Sequence, residues 1–121
     1  MSPAISRLLR RSLAPLALMA LIFALSAQSD LNSGLGAVDL IGRKIIHAST
    51  FALLTWLWFW ALRGTVGRPM ATAVAISFLY AISDEYHQHF VHGRHGSPID
   101  VLIDAIGIVI VAVREERKKP V

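Results

Sequence analysis

The chain contains no cysteine, which excludes disulfides, thiolate nucleophiles and cysteine-ligated metals. It is also short of charge. Asp, Glu, Lys and Arg make up 17% of its 121 residues against 55% hydrophobic, and the mean hydropathy is +0.55. A soluble domain this small has much surface for its volume and needs more charge than that to stay in water. No Gly-x-Ser-x-Gly elbow, phosphate-binding P-loop or His-Glu-x-x-His pair occurs, so the sequence carries no recognised catalytic signature. It has no internal repeat and no low-complexity linker, which leaves one domain over residues 1–121.

The charges that are present cluster at Arg7–Arg11, Arg43–Lys44, Arg63–Arg68 and Arg114–Lys119, with apolar runs between them. A membrane span needs roughly 20 mostly apolar residues. Four segments fit: 8–27, 44–62, 69–90 and 99–113. The expected fold is therefore all-α, an integral membrane four-helix bundle. Pro15 falls in the first turns of the first span, where a missing N–H costs least. The Trp56–Trp60 run sits towards the end of the second, where it packs or anchors at the interface. The first segment also reads as a secretory signal peptide, with a basic start, a short apolar run and small residues at Ala24, Ser26 and Ala27. Its removal would leave an awkward three-span protein, and a retained span is the expectation.

Lys and Arg concentrate on the cytoplasmic side of membrane proteins. The N-terminus (Arg7, Arg10, Arg11), the second loop (Arg63, Arg68) and the basic tail fall on one side of a four-span chain. Both termini are then cytoplasmic, in a bacterial inner membrane. The net charge of +4 and pI near 10.1 follow from these flanks, so membrane lipids rather than nucleic acid are the expected partners.

That topology gathers the unusual residues at the outer face. The first span ends there at Ser26 and Gln28, and the second begins with Lys44 and His47, three apart and so on one helix face. The third arrives carrying Asp84, Glu85, His87, Gln88 and His89, and the fourth leaves carrying Asp100 and Asp104. Asp84, His47 and Asp104 fall roughly 10 Å or less below the outer helix ends at about 1.5 Å rise per residue. An Asp, Lys or Arg facing lipid costs roughly 2.5–3.5 kcal/mol at a span centre, so these groups should face inward and pair with Arg43, Lys44, Arg94 or protonated histidines. Such a layer is either a structural network tying the helix ends or a functional site.

The pattern resembles the VanZ-like membrane proteins. It does so through Leu25-Ser26-Ala27-Gln28, Lys44-x-x-His47, Ser83-Asp84-Glu85-x-His87-Gln88, Gly93-Arg94 and Asp100-x-x-x-Asp104-x-x-Gly107. Two departures stand out: Asp104 where the family often has Asn, and His92 before Gly93-Arg94 where it commonly has Pro. The resemblance implies a four-span cell-envelope protein. The family takes its name from a member linked to resistance against teicoplanin, a lipoglycopeptide antibiotic.

The site residues expected are Lys44, His47, Asp84, Glu85, Gln88, Arg94, Asp100 and Asp104, with no cofactor. The first functional reading is binding of a lipid-linked envelope precursor, a lipoglycopeptide-type ligand or a partner. Arg94 and Lys44 would contact phosphate or carboxylate, oriented by Asp84, Glu85 and Asp100. The alternative is a membrane-embedded enzyme on a lipid-linked substrate, with catalytic candidates Glu85, Asp84 and His47 and one carboxylate as general base. A metal held by His87, His89, His92 and His95 with Asp84, Glu85 or Asp100 is not expected, because His87 and His89 are two apart and point to different helix faces. Proton-coupled transport ranks last, since no charge continues a path through 69–83 or 105–113. Gly107 is expected to permit close helix approach.

Overall fold

The computed structural model of the chain describes residues 2–26, 37–88, 90 and 98–118. Among them the structure is all-α: α1 (Pro3–Ser26), α2 (Ala37–Leu62), α3 (Pro69–Gln88) and α4 (Pro98–Arg117), with no strand. Three of the four helices begin on proline, whose fixed φ suits the first helical position and whose missing N–H is not needed there. At α1 the Ser2 hydroxyl accepts a hydrogen bond from the Ile5 amide at 3.2 Å, capping the first turn.

This cap changes the reading of Pro15. The helix starts at Pro3, not near Leu8, so Pro15 lies in the interior of α1. It deprives the Arg11 carbonyl of its helical partner. The ring is fully buried against the neighbouring helices, in a narrow stripe with Ser12 and Ile22. Similarly, α2 starts seven residues before Lys44 and α4 runs four residues past Val113. An apolar run measures what fits in hydrocarbon, whereas the helix continues through polar residues until a cap or turn stops it. α3 stops at Gln88, where the Phe90 amide turns back onto the His87 carbonyl at 3.1 Å.

α2 is the centre of the bundle, packing on α4, α3 and α1; among the described residues α1 does not reach α4. The buried stripe of α2 is Phe51, Leu54, Thr55, Trp58, Ala61 and Leu62, recurring at helical spacing. The facing stripe of α3 is small: Ala73, Ser77 and Ala81, which lets the helices approach. The same stripe then continues into Asp84 and Gln88. On α4, Gly107 is buried against α2, and a Cβ there would collide with the backbone carbonyl of Ala48, so the expected close approach is present.

Outside this core the bundle is apolar. Leu13 is 67% exposed, Leu79 66%, Leu102 64% and Ile46 61%. Among the described residues two segments are long and apolar enough to cross a membrane, Pro3–Leu25 and Lys44–Leu62. The two helices that fall short carry the acids Asp84, Glu85, Asp100 and Asp104.

Arg7, Arg11, Arg114 and Lys118 gather at one end. The Arg7 guanidinium donates to the Gly64 carbonyl at 3.4 Å, and the Arg11 guanidinium sits 5.3 Å from the centre of the Trp60 ring. Gly64 itself has φ of 78°, the left-handed turn that ends α2. Arg114 of α4 and Lys118 just beyond it line a recess with Leu53 and Trp56 of α2. Trp58 is buried, Trp56 exposed and Trp60 half-buried under Arg11, so the tryptophan run divides between packing and surface.

Candidate functional site

The opposite end of the bundle holds the polar residues, and each arrives there for a local reason. Asp100 lies in the first turn of α4, where unpaired amides favour a negative charge. Lys44 is near the start of the apolar part of α2, and its Nζ lies 3.3 Å from Asp100 Oδ1. Both side chains are about one-third exposed, which makes this pair a rim. One turn deeper on both helices, His47 Nδ1 stands 3.5 Å from Asp104 Oδ1. Asp104 is only 4% exposed through its side chain, and this long contact with His47 is the ion pair its Oδ1 makes.

α3 contributes from the third side. Asp84 is buried, four residues before the helix end, and its Oδ2 accepts a hydrogen bond from Gln88 Nε2 at 3.3 Å. His47, Asp84 and Asp104 each present one ligand-type atom, and these three atoms lie within 4.8 Å of one another. Two carboxylates and an imidazole thus meet between three helices. Unit like charges about 5 Å apart repel by roughly 3 kcal/mol at an effective dielectric of about 20, so the two acids repel when both are ionised unless the imidazole beside them carries a proton. Gly107, three residues after Asp104, and Ala48, next to His47, form the backbone contact that sets this spacing.

Lys44, His47, Asp84, Gln88, Asp100 and Asp104 therefore share one end of the bundle. Glu85 is half-buried, the next residue along α3 from Asp84. Arg94 lies outside the described residues, as do His89, His92 and His95, and the side chain of Arg43. His87 goes elsewhere: its ring stacks on Phe23 of α1 at 4.5 Å and 12°, which ties α1 to the end of α3. Tyr80 helps in the same interface, its hydroxyl donating to the Met19 carbonyl at 2.6 Å. No motif marks Phe23, Tyr80 or Ala48, because each acts through shape or backbone.

A 66-residue stretch, 54% of the chain, is 44% identical to a protein of Bacillus subtilis (strain 168) described as uncharacterized membrane protein YwnJ. That stretch covers 43% of the relative's own length, so the chain matches less than half of it. No solved structure matches. The model of the family described as VanZ/LLP1 matches residues 3–113, which takes in all four helices and every residue of the polar end. The chain belongs to the VanZ/LLP1 family.

Proposed function

We propose that the chain crosses the bacterial inner membrane four times, with both termini in the cytoplasm and the polar end facing outward. There it binds the charged head group of a lipid-linked envelope precursor or a lipoglycopeptide-type ligand. The observation that carries this reading is an inside-out distribution of polarity: Leu13, Leu79 and Leu102 are exposed while Asp84, Gln88 and Asp104 are buried. Helices of 20 residues span about 30 Å, the thickness of the hydrocarbon core. Two of the acids that lower the hydropathy of α3 and α4, Asp84 and Asp104, are turned from lipid, so their insertion penalty is reduced. The gathering of Arg7, Arg11, Arg114 and Lys118 at the other end supports a cytoplasmic face there.

In this reading Lys44, at the rim and held by Asp100, supplies a point charge for phosphate or carboxylate, and Arg94 supplies a bidentate fork. Asp84, Glu85 and Gln88 accept or donate to sugar or peptide groups. The test is binding of a polyprenyl phosphate to the purified protein in nanodiscs, followed by native mass spectrometry. Retention over a neutral lipid of equal length, weakened about tenfold by Lys44→Ala and by Arg94→Ala, is expected. Equal retention of both lipids by all variants contradicts the reading.

The second reading is catalysis on such a lipid, with Asp84 or Glu85 as general base and His47 assisting. It is favoured by the burial of Asp84 beside His47 and Asp104, the kind of environment that tunes an acid for proton transfer. Asp84→Asn and Glu85→Gln variants that keep full activity in cells remove it.

A further inference from the structure

Three helices bring three metal-type donors together at one end of the bundle, two of them buried and His47 about one-third exposed. His47 on α2 offers Nδ1, Asp104 on α4 offers Oδ1, and Asp84 on α3 offers a carboxylate oxygen. In a tetrahedral site with bonds of about 2.1 Å, neighbouring donor atoms lie about 3.4 Å apart. The His47–Asp104 separation is 3.5 Å, and the third donor lies within 4.8 Å of both.

The burial of Asp104 adds to that spacing. Asp104 is almost wholly buried, and its Oδ1 faces His47 Nδ1 at 3.5 Å, a long contact at the limit of a hydrogen bond. A buried carboxylate oxygen held by so long a contact is costly unless a cation sits against it, a role open to a protonated His47 and to a metal ion. Lys44, the nearest described permanent base along α2, is occupied one turn above by Asp100. The backbone contact of Gly107 with Ala48 fixes the two helices that carry His47 and Asp104, so the donors are preorganised.

We propose that His47, Asp84 and Asp104 form a binding site for one divalent first-row transition-metal ion, of the zinc or manganese kind. One imidazole and two carboxylates suit such an ion better than magnesium or calcium, which favour all-oxygen shells. Three protein donors leave a coordination position for water or for a phosphate oxygen. The phosphate role rests on the head-group reading above; the metal site does not. This donor set differs from the histidine-rich loop that the sequence brings to mind, because His87 is spent on Phe23 and His47 and Asp104 come from helices.

The test uses the full chain without a histidine tag, purified in detergent and stripped with chelator. It is incubated separately with Zn2+ and Mn2+, freed of excess ion by gel filtration, and analysed by plasma mass spectrometry and thermal unfolding. About one ion per chain and a raised melting midpoint are expected for at least one of the two metals, with no lipid ligand present. His47→Gln, Asp84→Asn and Asp104→Asn should each weaken binding about tenfold or more. Lys44→Ala, and a variant with His87, His89, His92 and His95 all changed to Ala, should keep it. Should Asp104→Asn fail to fold, His47→Gln and the four-histidine variant still discriminate. No retained ion with either metal overturns the proposal, as does retention that survives in His47→Gln and disappears in the four-histidine variant. A metal result without any polyprenyl-phosphate binding would sink the head-group reading alone.

Discussion

Gly107 of α4 lies directly against the backbone of Ala48 of α2, and this contact positions the neighbouring His47 and Asp104 side chains 3.5 Å apart. The glycine is needed for space rather than for a special backbone angle. Adding a methyl group helps an α-helix by about 1 kcal/mol, yet here it would meet a carbonyl group that cannot move alone. Overpacking of this kind costs about 1–3 kcal/mol, so Gly107→Ala should lower the melting temperature, and Gly107→Val more so. Thermal unfolding in detergent, read by circular dichroism, checks the order.

The rim pair should behave differently. Lys44 and Asp100 are each about one-third exposed, and exposed ion pairs contribute roughly 0.2–1 kcal/mol. Lys44→Ala, Asp100→Asn and the double variant should therefore melt within a few degrees of the parent. A double-mutant cycle gives their coupling, and a value above about 2 kcal/mol would make the pair part of the core rather than the rim.

α1 is held by few groups, so each is measurable. Tyr80→Phe removes the hydrogen bond to the Met19 carbonyl and should cost about 0.5–1.5 kcal/mol. Arg11→Ala removes the guanidinium above Trp60 and should cost about 0.5–1 kcal/mol. Limited proteolysis of these variants should cut near α1 before it cuts elsewhere.

The absence of cysteine permits a clean topology test. Single variants Ser2→Cys, Ser33→Cys and Gly67→Cys should be labelled in intact spheroplasts by a membrane-impermeant maleimide only at position 33. Labelling at position 2 or 67 without permeabilisation contradicts cytoplasmic termini.

Much of this was legible in the sequence. The four helices follow from apolar runs between basic clusters, and the convergence of Lys44, His47, Asp84 and Asp104 at one end follows from alternating direction. The family resemblance also held over nearly the whole chain. What escaped was rotational. Asp84 and Glu85 are adjacent, and the buried stripe Ala73-Ser77-Ala81-Asp84-Gln88 shows which one enters the core. No spacing along α2, α3 and α4 separately reveals that His47, Asp84 and Asp104 converge, because that depends on how each helix is turned about its axis. Nor does a span-length rule find the Ser2 cap that makes Pro15 an interior residue.

Whether the buried acids serve a ligand or merely hold helix ends together is decided most directly by the melting temperature of Asp84→Asn against the parent, in detergent with chelator present. A site that keeps repelling groups in place is relieved when one is neutralised, so the variant should melt at the same temperature as the parent or above it. The Asn side chain retains an oxygen for Gln88, which limits other losses. A fall of about 5 °C or more would mean that the Asp84 charge itself holds the helix ends, since breaking a buried charge network leaves its partners uncompensated, and would contradict a functional site.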